Sequence, residues 1–294
     1  MDEREFLTER FEEQRPRLHA VAYRMLGSLS EADDAVQEAW LRLNRSDADA
    51  IENLDGWLTT VTARVCLNML RSRSTRCEEP LEVHVPDPIV TREDEAGPEG
   101  EALLADAVGL ALHIVLETLT PAERLAFVLH DMFAVPFEEI APILDRTPEA
   151  TRQLASRGRR RVRGETPVPD TDLAQQRTVV DAFFAAARRG DFDALVAVLD
   201  PDVVARGDGG RTRRALTVSE RGAENVAARA LTFANPAAIM WPARVNGAAG
   251  VVITVRGRVL SVMGFTVVDG KIVAIDALAD PERIAELDLA GVMR

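Results

Sequence analysis

Two short strings, Thr120-Pro121-Ala122-Glu123 and Thr147-Pro148-Glu149, constrain the middle of this chain more than any other feature. A threonine can offer its side-chain oxygen to the free N–H groups of a helix's first turn. Proline suits the first helical position, where no N–H is needed. The first string therefore predicts a helix running to about Met132. Phe137, Ile140, Ala141 and Leu144 then recur at helical spacing, and a tight break follows at Asp145-Arg146. The second string opens another helix. Two helices joined by about three residues, the later one basic, form the pattern of a helix-turn-helix.

That later helix sorts by angle. Thr151, Leu154, Ala155, Gly158 and Val162 make a narrow stripe of small and apolar residues suited to docking on the helix before it. Arg152, Gln153, Ser156, Arg159, Arg160 and Arg163 face away, and Arg157 and Arg161 add to the charge. Arginine and glutamine in the N-terminal half can reach base edges, and the later arginines suit phosphates. The plainer alternative is a solvated, charged amphipathic helix.

The formal net charge of −13 argues at first against nucleic acid, but its distribution does not. Gly56–Cys77 contains no acid and carries Arg64, Arg71, Arg73 and Arg76, and Thr151–Gly164 is again acid-free and arginine-rich. Between them, Glu78–Glu101 holds nine acids and Arg92 alone among basic residues. Pro80, Pro86, Pro88, Gly97, Pro98 and Gly100 mark this stretch as a flexible acidic linker. Two positive footprints joined by a negative tether are expected. The plainer reading of the tether is a solvated spacer.

Ahead of the tether, Val36, Ala39, Trp40 and Leu43 form the buried stripe of a helix that Ser30 can cap. Asp34, Gln37 and Glu38 lie on its wet side. The next helix buries Leu54, Leu58, Val61, Val65 and Met69. It shows Thr60, Arg64 and Arg71 on the opposite side, with Asn68 at the border. No run of about 18 apolar residues occurs, and the charged start Met1–Glu5 has no apolar stretch behind it. A cytoplasmic protein with no membrane association is therefore expected. Cys66 and Cys77 read as inert thiols in a reducing compartment.

At this point the residues resemble the extracytoplasmic-function (ECF) σ factors of bacterial RNA polymerase. Asp34-Ala35-Val36-Gln37-Glu38-Ala39-Trp40-Leu41-Arg42-Leu43 is similar to the family's polymerase-gripping region. Trp57-Leu58-Thr59-Thr60-Val61 through Leu70-Arg71-Ser72-Arg73 is similar to the −10 region, although the family often has an acid at Asn68 and asparagine at Arg64. Thr147–Arg163 resembles the −35 recognition helix. The resemblance implies polymerase contacts at Asp34, Gln37 and Glu38. It implies −10 contacts at Thr60, Arg64, Asn68, Arg71 and Arg73, and −35 contacts at Arg152, Gln153, Ser156, Arg157, Arg159 and Arg160. It also implies that the acidic linker threads the polymerase cleft. Leu81–Pro88 is similar to a proline-bearing linker motif of subgroups with C-terminal extensions, and His84 reads as a loop residue.

The C-terminal part follows a different grammar. Helices are expected over Leu173–Arg189, Phe192–Leu199 and about Glu220–Thr232, with a strand at Val203-Val204-Ala205 and a loop at Gly207–Gly210. Runs rich in β-formers follow at Ala238–Val245, Gly250–Val255, Val259–Val268 and Lys271–Ala277, the last after the hairpin signal Asp269-Gly270. Helices followed by antiparallel strands mean α+β, with helices on one face of a curved sheet. This resembles the SnoaL-like branch of the NTF2-like fold, a conical half-barrel that often holds a pocket. Asp208-Gly209-Gly210 and Asn235-Pro236 resemble motifs of σ factors bearing this domain, with Arg211 in place of a further glycine. Tight loops in general use the same residues.

The expected organisation is multidomain. Residues 5–77 (region 2) and 102–164 (region 4, with the helix-turn-helix) form two all-α domains joined by the linker 78–101, and an α+β SnoaL-like domain spans 171–294. The expected partners are core RNA polymerase, promoter DNA and a small ligand of unidentified nature in the C-terminal domain. No cofactor, metal or catalytic residue is expected. His19, His84, His113 and His130 all precede the last domain, so no histidine is expected to pair with an acid inside it. Asp276 reads either as a cavity acid with a raised pKa or as a satisfied strand-end carboxylate. Two rivals stay open: a helix-turn-helix regulator that binds DNA unaided, and an enzyme with appended DNA-binding helices.

Overall fold

In the computed structural model, residues 3–46, 51, 53–75, 83–93, 109–165, 167 and 169–293 are described. The chain divides into two units, Met1–Glu79 with Val115–Glu165 and Pro80–Ile114 with Thr166–Arg294. No helix among the described residues is long and apolar enough to cross a membrane.

In the first unit, α1 (Glu3–Leu26), α2 (Leu29–Leu43) and α3 (Leu54–Thr75) pack on one another. Leu18, Met25, Leu26, Leu43, Leu58 and Leu67 are fully buried between them. Val36, Ala39 and Leu43 take the expected inward stripe of α2, and half-buried Trp40 meets the Phe11 ring at 4.8 Å. Ser28, not Ser30, occupies the N-cap position, without a side-chain bond to the helix. Gly27, at φ 72°, turns the chain sharply out of α1, so α2 starts earlier than Ser30 suggests.

Helix α4 (Leu110–Thr118) leads into α5 (Pro121–Phe127), and the division between the units falls within α4. Thr120 caps α5 as expected. Its hydroxyl accepts from the Glu123 N–H at 3.3 Å, and the Glu123 carboxylate reaches back to the Thr120 N–H at 3.3 Å. The last turn, Val128–Met132, is a π-helix. Next come α6 (Phe137–Leu144), the expected break with Asp145 at φ 53°, and α7 (Pro148–Glu165). Helices α5 and α7 approach closely at Gly158. A Cβ there would stand 3.1 Å from Phe127 Cβ and 3.3 Å from the Glu123 carbonyl oxygen.

In the second unit, α8 (Leu173–Arg189) begins where Asp172 accepts from the Ala174 and Gln175 N–H groups and ends at Gly190, φ 69°. It is followed by α9 (Phe192–Val198), α10 (Ala223–Phe233) and the short α11 (Pro281–Ala285). The strands are β1 (Val90–Thr91), β2 (Leu199–Asp208), β3 (Val218–Arg221), β4 (Ala238–Val245), β5 (Ala248–Val255), β6 (Arg258–Val268) and β7 (Lys271–Leu278). They form one sheet in the order β1-β4-β5-β6-β7-β2-β3, antiparallel except for β2 beside β7. Asp269 (φ 50°) and Gly270 (φ 70°) form the β6–β7 hairpin as expected. Gly207 and Asp208 belong to β2 rather than to a loop, and Glu220 belongs to β3 rather than to α10.

Successive strand residues point to opposite faces, and both faces are covered. On one, Val251, Phe265, Val267 and Ile275 pack with Val180, Phe183 and Ala186 of α8 and with Val226 of α10. On the other, Val245, Val252, Val262 and Leu278 pack with Val83, Val85, Leu110, Ile284 and Leu289. The expectation of a poorly structured linker therefore does not hold for residues 83–93. Val90 and Thr91 pair with Val245 and Arg244, and Val83 and Val85 are buried. The apolar positions of this stretch cover a sheet face that would otherwise stay wet. The remainder of 78–101 lies outside the described residues.

Candidate nucleic-acid interface

Helix α7 carries the arginine cluster on a scaffold tied down at its base. At about 3.6 residues per turn, Arg152, Ser156, Arg159, Arg160 and Arg163 share one side, with Gln153 at its edge. Arg152, Gln153, Ser156 and Arg160 are exposed, and the Arg152 guanidinium lies 5.2 Å over the Phe137 ring of α6. Arg157 lies on a different side. Its Nε donates to Glu123 Oε1 at 3.0 Å, and Arg161 Nη1 donates to Glu123 Oε2 at 3.1 Å. Arg159 Nε donates to Asp131 Oδ1 at 2.7 Å. Two of the six expected DNA contacts, Arg157 and Arg159, thus also brace α7 against α5 and the π turn. Burial raises the Glu123 carboxyl, but the Thr120 bonds, the Arg157 bond and the Arg161 charge outweigh it, holding the group below the usual carboxylate range.

On α3, Thr60, Arg64, Asn68 and Arg71 follow one another at i, i+4, i+8 and i+11 and form one stripe, with Arg64, Asn68 and Arg71 exposed. Arg64 Nη2 donates to the Pro142 carbonyl of α6 at 3.4 Å. Arg73 leaves this stripe. It pairs with Glu31 of α2, and its Nη1 donates to the Leu26 carbonyl at 3.3 Å, so it clamps the α1–α2 corner. Deeper in the unit, Arg124 is buried and donates to the Met25 carbonyl at 2.8 Å. Burial lowers its pKa to about 10, which leaves it charged at neutral pH. Cys66 is buried, and burial pushes its thiol up to about 12, far from a reactive thiolate.

The outer side of α2 presents Asp34 and Gln37, both exposed, with Glu38 accepting from Arg42 Nε at 2.9 Å. Leu41 stands among them and is 40% exposed. Leu41 is not among the polymerase contacts expected from sequence, Asp34, Gln37 and Glu38. Its spacing of i+3 from Glu38 and i+4 from Gln37, off the buried stripe, is the signal that points to it.

In the second unit, buried Asp208 organises the Asp-Gly-Gly motif. Its Oδ1 accepts from the Gly210 N–H at 3.0 Å, and its Oδ2 accepts from the Val85 N–H at 3.1 Å and Arg283 Nη1 at 2.8 Å. Arg283 also donates to Asp87 Oδ1 and the Val85 carbonyl, each at 2.6 Å. Gly209 is required by space, since a Cβ would lie 2.0 Å from the Arg213 carbonyl oxygen. His84 Nδ1 stands 3.3 Å from Asp208 Oδ2, which overturns the expectation that no histidine pairs with an acid in this domain. The chain ahead of α4 folds into the unit and brings a histidine with it.

A cavity of about 470 Å³ opens between α8, α10 and the sheet. Phe183, Val226, Phe233, Met263, Ile275 and Ala277 are among its lining residues, and exposed Asn235 and Pro236 stand at its edge. The Asn235 side chain accepts from the Ala237 N–H at 2.9 Å and fixes that turn. Asp276 does not line the cavity, because its neighbours Ile275 and Ala277 do and strand side chains alternate. It is 2% exposed and accepts from Arg206 Nη1 at 3.0 Å. Burial pushes its pKa up to about 6 against the pull of Arg206.

The Sigma-70 region 2 family matches residues 10–76, and the family described as Sigma-70, region 4 matches residues 110–162. The chain is 36% identical over 271 residues to probable ECF RNA polymerase sigma factor SigI of Mycobacterium tuberculosis, covering 91% of each chain. It is 37% identical over 291 residues to ECF RNA polymerase sigma factor SigJ of the same species, covering 93% of this chain and 91% of SigJ. The crystal structure of M. tuberculosis SigJ matches with a TM-score of 0.75 and 36% identity, over 96% of this chain and 99% of that one. The helical σ regions followed by an α+β domain, and the relatives matched along nearly their whole length, place this chain in the family of ECF RNA polymerase sigma factors.

Proposed function

We propose that this σ factor, which binds core RNA polymerase and directs promoter-specific initiation as its family does, is modulated in cis by its C-terminal domain. One observation carries the reading. The segment that follows region 2 in sequence is a structural part of the C-terminal unit, held by the β1–β4 pairing and by Asp208, Arg283 and Asp87. A domain that grips the connection between two promoter-reading regions biases which separations they reach, because a tethered contact acts at high effective concentration.

Within this reading, residues 5–77 and 102–164 act as regions 2 and 4, joined by 78–101, and residues 171–294 modulate them. The α3 stripe of Thr60, Arg64, Asn68 and Arg71 meets the −10 element, with Arg73 bracing the helix. Arg152, Gln153 and Ser156 read −35 base edges, Arg160 meets phosphate, and Arg157 and Arg159 set the pose of α7. Asp34, Gln37 and Glu38 meet polymerase, with Leu41 as the apolar centre of that patch. The C-terminal domain is read as non-enzymatic, supported by an Asp276 that is tied to Arg206 and turned away from the cavity.

Run-off transcription with core polymerase tests the modulation, comparing the full-length chain with Arg283→Ala. Loss of the charge-assisted contacts to Asp208 and Asp87 is expected to change output by up to about tenfold. Equal output from both proteins across salt concentrations would reject modulation through this segment and leave the σ assignment standing.

A further inference from the structure

We propose that the cavity between α8, α10 and the sheet is a binding site for an amphiphilic monoanion, an apolar body carrying one carboxylate-like end. The cavity lies in the range of volumes that bury a drug-sized molecule. Aromatic, methionine and aliphatic side chains dominate its wall: Phe183 and Phe184 from α8, Phe233 from α10, and Met240, Ile253 and Met263 from the sheet. Such a wall gives water few partners, so displacing water from it favours an apolar guest. Methionine and edge-on phenylalanine side chains also adapt to irregular shapes.

The polar exception in the wall of α10 is Arg229. Its Nη1 lies 3.4 Å from Glu220 Oε1 and its Nη2 3.4 Å from the Ala215 carbonyl, both at the long end for a hydrogen bond. Its Nε is buried and has no hydrogen-bond partner. The guanidinium stacks 5.0 Å over Phe233, which keeps it beside the apolar wall. A buried donor without a partner is costly, and an anionic oxygen entering the cavity would satisfy it. The lining also holds exposed Arg188, which adds positive charge, and Arg206, whose guanidinium is already paired with Asp276. Glu220 is the acid in the lining, and Arg229 already opposes it. The lining therefore favours a negative end over a positive one. Phe233, 49% exposed, stands in the same wall and offers an apolar surface to an entering molecule.

Binding is measured on the full-length protein without polymerase or promoter, so its failure is separate from failure of the regulatory reading. The probe is 1-anilinonaphthalene-8-sulfonate, an aromatic body with one sulfonate, followed by fluorescence and competed with decanoate and decanol. Saturable one-site binding is expected, with decanoate displacing the probe at concentrations about tenfold lower than decanol. Ala230→Trp and Ala277→Leu, each filling the void from a different wall, are expected to abolish binding. Arg229→Gln is expected to remove the preference for decanoate and keep binding of decanol. Thermal unfolding shows which variants are folded. Should one filling variant unfold, the other and the competition experiment decide. Non-saturable fluorescence, a folded filling variant that binds as the parent does, or decanoate no better than decanol would each overturn the proposal.

Discussion

Replacing Asp208 by alanine removes the carboxylate on which residues 84–85, the Gly209-Gly210 turn and α11 converge. The wild-type group accepts from Val85, Gly210 and Arg283 at 2.8–3.1 Å and has His84 at 3.3 Å. Breaking a buried ion pair by deleting one partner typically costs about 3–5 kcal/mol. Arg283 keeps Asp87 as a countercharge, so the lower end applies, about 3 kcal/mol. For a unit of this size, about 2–4 °C per kcal/mol lowers the midpoint of its unfolding by roughly 6–12 °C. Differential scanning calorimetry of the full-length chain at pH 7 measures it. The pH dependence supplies an internal check. Burial raises the Asp208 carboxyl, but bonds from His84, Val85 and Gly210 and the charge of Arg283 outweigh it and hold the group at about 2. A folded pKa below the unfolded one gives stability that is complete above about 3.8 and is lost as the pH falls toward 2. The gap between wild type and variant must therefore narrow over that window. A variant melting within about 1 °C of wild type at pH 7, or a gap that does not change in acid, would refute the network's role.

Asp276 has the opposite sign. Its folded pKa is raised to about 6, so the stability of its unit should increase as the pH falls from 7 toward 4, and Asp276→Asn should flatten that rise in urea titrations. Gly158→Ala forces a Cβ against Phe127 and the Glu123 carbonyl, and the first unit should lose about 1–3 kcal/mol despite alanine's better helix propensity. A more stable variant in chemical denaturation would contradict the close approach. Arg152→Ala should weaken promoter binding by about 1–3 kcal/mol and relax preference at one −35 position, read by fluorescence anisotropy on base-substituted duplexes. Arg157→Ala should instead lower the midpoint of thermal unfolding, because its guanidinium serves Glu123.

Features that depend on a few consecutive residues were legible in advance. Thr120 with Glu123, the tight break at Asp145-Arg146, α8 with its stop at Gly190, and the Asp269-Gly270 hairpin all arise from backbone groups finding partners within one turn of chain. The side shared by Thr60, Arg64 and Arg71, with Asn68 expected at its border, was legible for the same reason, since helical periodicity sets which residues share a face. Tertiary structure decided the rest. Arg73 and Arg157 look like their basic neighbours in a string of letters, yet Glu31 and Glu123 claim them from 42 and 34 residues away. Asp276 could have faced either side of β7 until the packing of Ile275 and Ala277 settled the alternation. The acidic stretch looked like a free tether because its prolines and acids forbid a helix and show little apolar period. Only the uncovered sheet face, with Val245 opposite Val90 and Arg283 waiting for Asp87, turns Val83–Glu93 into part of a domain. Hydrogen bonds close over a few residues and leave their mark in local sequence, whereas burial needs a partner surface, and that surface exists only once the distant strands have assembled.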